Sequence, residues 1–197
     1  MNQVQEAQPQ TENQTTVIGI VGSLRAGSYT RLAVEQALQA ARDAGARTRL
    51  IDLKDYQLIF CDGESPLDSL PTDVAKLRTE VASAQGIILG TPEYHGSFSG
   101  VLKNALDLLD GSEISGKVIG LIGVSGGALG GIDALNSLRV IARSLHSWVI
   151  PQQVAIPEAW KVFDETGKIK DHKLEKRVQE VGRQVARFAS LHASLMN

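Results

Sequence analysis

The sequence predicts an open parallel β-sheet with helices on both faces, and three observations indicate it. Five short apolar runs alternate with segments whose apolar residues recur at helical spacing. Most of these runs are apolar throughout and rich in β-branched residues, as expected for strands buried on both faces. The loops that follow the first, third and fourth runs are rich in glycine and hydroxyl side chains. A chain of 197 residues is long enough for one domain with a full core.

The elements alternate regularly along the chain. The predicted strands are 17–21, 47–53, 86–90, 117–124 and a fifth strand that Pro151 splits into 148–150 and 154–156. The predicted helices are 30–44, 73–84, 101–110, 132–145 and 173–195, the last with an apolar stripe of Leu174, Val178, Val181, Val185 and Phe188. A sheet in the order 2-1-3-4-5 makes strands one, three and four neighbours. Their three loops would then converge on one crevice at the carboxyl edge of the sheet.

Composition excludes several classes of protein. The chain is 43% hydrophobic and 21% charged, with a formal net charge of −2, so a basic surface for nucleic acid is not expected. One cysteine, Cys61, allows no intrachain disulfide, and the four histidines show no metal-ligand spacing. Residues 1–16 are polar and resemble neither a secretory signal nor a membrane span. We therefore expect a disordered tail over 1–16, a single domain over 17–197, no membrane association and the cytoplasm as the location.

The first loop has the features of an anion site. Its G-x-x-x-x-G-S pattern, from Gly22 to Ser28, lacks the lysine of a nucleoside-triphosphate loop and is not the dinucleotide fingerprint. It offers hydroxyls at Ser23, Ser28 and Thr30 and one cation at Arg25, in front of a helix N-terminus. These groups suit a single terminal phosphate. An ordinary strand-to-helix turn capped by Ser28 or Thr30 would explain the same residues.

Three segments resemble the NADPH-dependent FMN reductase family, which includes FMN, quinone, chromate and azo-dye reductases. They are GSLRAGSYTR (22–31), TPEYHGSFSGVLKNALD (91–107) and VSGGALGG (124–131). The resemblance runs in order from about residue 17 to residue 156, and the first two segments are the more specific. It implies a flavodoxin-like five-stranded parallel sheet, FMN as cofactor and NADPH or NADH as co-substrate.

The resemblance also implies site residues. The FMN phosphate would be held by Ser23, Arg25, Ser28, Tyr29 and Thr30; the isoalloxazine ring would lie along Pro92, Glu93, Tyr94 and His95, largely through main-chain groups; and Ser125, Gly126 and Gly127 would face its far edge. Thr30 and His95 stand where many members have asparagine, and the contact that His95 makes near the ring stays open. Tyr94 either stacks on a nicotinamide or acceptor or packs against its own loop. No catalytic side chain is expected, because the cofactor carries the hydride.

Two classes of function fit these residues best. The first is an enzyme that passes a hydride from NAD(P)H to FMN and electrons on to a small acceptor, such as free flavin, a quinone, a metal oxyanion or an azo compound. The second is a flavodoxin-like electron carrier that docks on protein partners. Such carriers rely on strongly acidic surfaces, and a net charge of −2 argues against one. A flavin-binding scaffold with a regulatory role is a third possibility.

Two further expectations concern the surface. Four apolar residues are not needed to fill the predicted core: Leu108, Trp160, Val162 and Phe163. Together with the resemblance, they predict a homodimer or homotetramer. The alternative is that they cover the core of the single chain. The long loop 54–72 either covers the site or is a plain surface loop. Its thiol, Cys61, is not expected to be a nucleophile, because no paired histidine is evident.

Overall fold

The structure is a computed structural model that describes residues 14–63 and 71–196. Its strands are β1 Thr16–Val21, β2 Arg47–Asp52, β3 Gly86–Tyr94, β4 Ser97–Phe98, β5 Val118–Val124 and β6 Trp148–Ile156. Its helices are α1 Tyr29–Asp43, α2 Thr72–Ala82, α3 Gly100–Asp107, α4 Gly111–Ile114, α5 Ile132–Ser144, α6 Ala159–Val162 and α7 His172–Met196. Most of the tail predicted to be disordered, and residues 64–70 of the predicted long loop, lie outside the described residues.

Five parallel strands form the sheet in the order β2-β1-β3-β5-β6, which confirms the predicted order. Side chains of β1 alternate between the two faces, as in any strand. Val17 and Val21 pack in a core with α1 and α7, whereas Ile18 and Ile20 pack in a second core with α2, α3 and α5. The helices therefore cover both faces, as the apolar runs predicted.

The register brings three strand ends together. β1 pairs with β3 so that Val21 lies beside Gly90, and β3 pairs with β5 so that Gly90 lies beside Ile122. The loops after β1 and β5 and the end of β3 therefore leave the same edge of the sheet side by side. This is the edge at which open parallel sheets bind their ligands.

Two strands differ from the prediction. β3 does not end at Gly90 but continues to Tyr94, because its next residues pair with β5 and its end forms an antiparallel hairpin with β4. A two-residue strand such as β4 has no readable periodicity. β6 is not split at Pro151 but bulges there, since its register with β5 shifts beyond Ile119. β6 lies at an edge of the sheet, where proline is tolerated.

The four apolar residues predicted to lie at an interface between chains differ in how far the structure buries them. Leu108 and Phe163 are buried in the core of the single chain, and Val162 packs against it. These three therefore do not support an interface between chains, and Trp160 alone of the four is exposed. On α7, Phe188 is 41% exposed, so its predicted place on the buried stripe is wrong. The other members of that stripe are buried or partly buried.

The buried carboxylate of Glu80 connects α2 to β2 and to the segment that follows β2. Glu80 accepts hydrogen bonds from the Tyr56 hydroxyl and from Arg49 Nη2, each at 2.5 Å. Burial, followed by the hydrogen bond to Glu80, raises the pKa of Tyr56 above its ordinary value. The folded state therefore favours the neutral phenol, and the stability this contributes is present below about pH 10 and is lost as the pH rises further.

The variant Tyr56→Phe should therefore reduce the alkaline loss of stability. We expect wild type to be the more stable protein at pH 8, and its advantage to shrink by up to about 1 kcal/mol between pH 10 and pH 11, after allowance for solvent screening. Thermal unfolding of both proteins from pH 8 to pH 11 measures this. Other lysines and tyrosines titrate equally in the two proteins, so the difference isolates Tyr56. An advantage that stays constant up to pH 11 would contradict the argument.

Candidate active site

A cleft of about 350 Å³ lies at the carboxyl edge of the sheet. Ten of the twelve residues that the resemblance assigns line it, together with four others. The lining residues are Ser23, Arg25, Gly27, Ser28, Tyr29, Thr30, Pro92, Glu93, Tyr94, Val124, Ser125, Gly126, Ala159 and Trp160. The structure thus brings the loops after β1 and β5, the end of β3 and the short helix α6 to one place.

The N-terminus of α1 forms one end of the cleft. Ser28 is its N-cap, and its Oγ accepts a hydrogen bond from the backbone N–H of Arg31 at 3.2 Å. The backbone N–H groups of Tyr29 and Thr30 have no partner within the helix, as is usual in a first turn. Among the described residues no hydrogen bond engages these two groups, which lie at the positive end of the helix dipole and could bind an anion.

One arginine beside this helix end is available to a ligand. Arg25 is exposed and lines the cleft, and within the described part of the chain its guanidinium forms no ion pair. Arg31, by contrast, is already paired with Glu35 at 2.9 Å and lies 3.5 Å from Asp52. Arg25 is therefore the cation of this loop that can meet a phosphate.

A buried serine, which the sequence analysis missed, joins the first loop to the β3–β4 hairpin. Ser99 Oγ donates to the carbonyl of Gly22 at 2.6 Å and accepts from the backbone N–H of Leu102 at 3.2 Å, which caps α3. Gly22 N–H in turn donates to the carbonyl of Gly90 at 2.8 Å. A Cβ at Gly22 would lie 2.8 Å from Leu102 Cβ, so only glycine fits there. A serine before an apolar helical run is a helix-start signal, and it could have identified Ser99.

The end of β3 forms the other side of the cleft. Glu93 Oε2 accepts a hydrogen bond at 3.0 Å from the backbone N–H of Ala134, in the first turn of α5. The N-cap of α5 is Gly131, which has no side chain, so the carboxylate of Glu93 caps this helix from a neighbouring strand. The Glu93 side chain is thus committed to α5.

Two of the assigned residues are not brought to the cleft lining. His95 is exposed in the turn between β3 and β4, with a left-handed φ of 52°. Asparagine and histidine are both enriched in that conformation. The backbone of this turn can therefore accommodate His95 as well as the asparagine that the sequence analysis expects there. Gly127 lies one residue beyond the lining, and its N–H donates to Ser125 Oγ at 3.0 Å.

The segment after β6 supplies a wall that the sequence did not predict. Trp160 and Ala159 line the cleft, although Trp160 was expected at an interface between chains. Nearby, the ring of Tyr29 stacks on that of Phe163, with centroids 5.3 Å apart and planes 13° from parallel. The aromatic face of Tyr29 is therefore used within the protein.

Residues 15–161 match the profile of the NADPH-dependent FMN reductase family. The chain belongs to this family. It is 33% identical over 176 residues to an FMN-dependent NADPH-azoreductase of Staphylococcus haemolyticus, covering 87% of this chain and 93% of that protein.

Solved structures show the same fold. FerB, a flavoenzyme NAD(P)H:(acceptor) oxidoreductase from Paracoccus denitrificans, superposes with a TM-score of 0.75 at 23% identity, over 90% of this chain and 98% of that one. An archaeal flavodoxin superposes with a TM-score of 0.63 at 14% identity, over 89% and 99% of the two chains. The fold is flavodoxin-like, and as a family member the protein is an NAD(P)H-dependent flavin oxidoreductase with FMN as cofactor and NADPH as co-substrate.

The residues of the cleft fit FMN. A helix N-terminus with one unpaired arginine suits the phosphate. A Cβ at Gly126 would meet no atom of the described residues within 4 Å, so packing among them does not require glycine there and leaves space for a flat ring. Among the described residues no cluster of three potential metal ligands occurs, and none of the helices there is long and apolar enough to cross a membrane.

Proposed function

We propose that this protein passes the electrons of NADPH to a small-molecule acceptor that enters the cleft beside Tyr94, with azo compounds and quinones as the first candidates. One observation carries this proposal: the cleft that holds the α1 N-terminus and Arg25 is also lined by two exposed aromatic side chains, Tyr94 and Trp160. The azoreductase activity named for the staphylococcal relative supports the choice of acceptor. Bound FMN supplies the redox chemistry, taking a hydride from NADPH and releasing electrons to the acceptor.

The chain itself binds and orients the reactants. Arg25 and the first turn of α1 would hold the phosphate, with Ser23 and Thr30 beside them as buried hydroxyls. The main chain at the end of β3 and the loop at Ser125 and Gly126 would flank the ring. Glu93 would keep the β3 end and α5 in fixed relation through its bond to the helix terminus.

An absorbance experiment under argon tests the proposal. NADPH should bleach the flavin band of the FMN-loaded protein, and an azo dye or a benzoquinone should then restore it. A bound flavin that NADPH cannot reduce would instead favour the electron carrier, for which the net charge of −2 offers little electrostatic steering. A band that NADPH bleaches and that neither acceptor restores would refute the choice of acceptor.

Steady-state kinetics should show that NADPH and the acceptor use the cleft in turn. The chain has no second nucleotide fingerprint that would hold NADPH elsewhere. The nicotinamide must come within about 3–3.5 Å of the flavin ring for hydride transfer. Because one face of the ring would lie along the end of β3, a quinone must approach the same face as the nicotinamide. NADP⁺ must therefore leave first, and initial rates with NADPH and benzoquinone should give parallel double-reciprocal lines. Intersecting lines would show that both bind together and would place the acceptor at a separate site.

The cellular setting is part of the same proposal. We expect a cytoplasmic homodimer or homotetramer. The exposed thiol of Cys61, with no other cysteine in the chain, is compatible with a reducing compartment.

A further inference from the structure

Trp160 stands out among the side chains of the cleft because it is large, apolar and exposed. It is 60% exposed, and Tyr94, which lines the same cleft, is 47% exposed. An aromatic ring left in water forgoes the free energy that burial would give. Single exposed apolar residues are common, so exposure alone means little. Its position in a ligand cleft and the way it is held are what distinguish Trp160.

Hydrogen bonds fix the short helix that carries Trp160 against the β5–α5 loop. Ala159 N–H donates to the carbonyl of Ser125 at 3.0 Å, and Glu158 N–H donates to the carbonyl of Gly127 at 3.1 Å. At the other end of the segment, Phe163 stacks on Tyr29, the first residue of α1. The wall formed by α6 is therefore tied to the β5–α5 loop and to α1, and its tryptophan is a positioned group rather than a loose surface residue.

One face of the indole is already occupied. Lys161 Nζ lies 4.7 Å from the centroid of the Trp160 ring, and the same ammonium is 2.6 Å from Glu158 Oε1. A cation over the ring holds its orientation through the attraction of the ammonium to the π-electrons. In the part of the chain that the structure describes, no aromatic ring stacks on Trp160, and most of its surface is exposed, so a ligand can reach the face of the indole away from Lys161.

Trp160 and Tyr94 lie on the two sides of the β5 end. Pro92 of β3 is in register with Val124 of β5, and Val124 is in register with Ile156 of β6. Two strand spacings separate β3 from β6 at this edge, which is about 10 Å. Tyr94 is the last residue of β3, and Trp160 comes four residues after the end of β6, so the two exposed aromatic residues leave the sheet on different sides of β5.

We propose that Trp160 is a specificity-determining residue for the electron acceptor: the open face of its indole stacks on planar aromatic acceptors and favours them over acceptors without a ring. This inference rests on the proposed function, since it names which acceptors the same cleft prefers. Stacking on one aromatic side chain changes an affinity by about tenfold at most. The preference for planar acceptors should therefore appear in the Kd and KM of the acceptor, and the rate at which NADPH reduces the flavin should not change.

The test compares two tryptophans of similar exposure. Trp160→Ala is matched by Trp148→Ala, because Trp148 is 62% exposed but lies at the first residue of β6, at the opposite end of the sheet. Binding of anthraquinone-2-sulfonate to the FMN-loaded protein without NADPH is measured by calorimetry. The KM values for a quinone and for ferricyanide, which has no ring, are measured in turnover. Trp160→Phe serves as the conservative variant, and thermal unfolding verifies that each variant is folded.

We expect Trp160→Ala to raise the anthraquinone Kd and the quinone KM about tenfold, with the ferricyanide KM and the Kd of FMN unchanged. Trp160→Phe should restore most of the loss, and Trp148→Ala should behave as wild type. Equal losses for ferricyanide or for FMN, or no difference between Trp160→Ala and Trp148→Ala, would overturn the inference. If NADPH fails to reduce the wild-type flavin, the proposed function fails, while the calorimetric comparison still decides the role of Trp160.

Discussion

Replacing Gly182 with alanine should lower the free energy of unfolding by about 3 kcal/mol, although alanine is the better helix former. Gly182 lies in the middle of α7 and is buried where α7 crosses α1. A Cβ there would clash with the backbone carbonyl of Ala37 and come within 3.1 Å of the backbone nitrogen of Ala41. Backbone atoms cannot rotate away as a side chain can, so the two helices must separate.

The separation should reach the active site. α1 begins at Tyr29, whose backbone N–H is among those we assign to the phosphate, and a displaced α1 carries that end with it. We therefore expect weaker FMN binding in addition to the loss of stability. For a chain of this size the melting temperature should fall by about 6–12 °C.

The matched control is Gly100→Ala. Gly100 is the first residue of α3, and a Cβ there would meet no atom of the described residues within 4 Å. Alanine at that position should be neutral or should stabilise the protein by up to about 1 kcal/mol, because it restricts the unfolded chain. Thermal unfolding of the two variants tests the direction of each change. The melting temperature should fall in Gly182→Ala and should stay the same or rise in Gly100→Ala. A melting temperature that rises in Gly182→Ala would refute the close helix contact.

Replacing Arg25 with alanine should raise the Kd of FMN about ten- to a hundredfold, with the smaller effect at high salt. Arg25 is the cation of the first loop that has no ion pair among the described residues, and it lies beside the first turn of α1. A charge-assisted contact to a phosphate is lost in the variant. Riboflavin lacks the phosphate, so its Kd should hardly change.

Flavin fluorescence titrations of wild type and variant with both ligands measure this effect. Arg42→Ala is the control, because Arg42 lies in the last turn of α1, where it donates to Thr48 Oγ1 at 2.7 Å. It removes the same charge from the far end of the same helix, and it should leave both affinities unchanged. Equal losses for FMN and riboflavin in Arg25→Ala would remove Arg25 from the phosphate site.

Local features of the sequence determined the parallel sheet and most of the cleft. A strand buried on both faces is a contiguous apolar run, so β1, β5 and most of β3 could be placed from neighbouring residues alone. The residues of the first loop, from Ser23 to Thr30, are also contiguous. Once parallel strands bring their carboxyl ends to one edge, such loops must meet. Ten of the twelve assigned residues line the cleft for this reason.

Contacts between residues far apart in the chain decided what the sequence could not. Glu93 caps a helix that begins well after it, and Gly182 is required by the backbone of Ala37 near the start of the chain. In the sequence, Trp160 is an apolar residue that the predicted core does not need. Its position in the cleft depends on hydrogen bonds between its helix and the loop at Ser125, which the sequence does not show. Neither periodicity nor composition contains such contacts, since they arise only after the sheet has formed and its helices have packed on it.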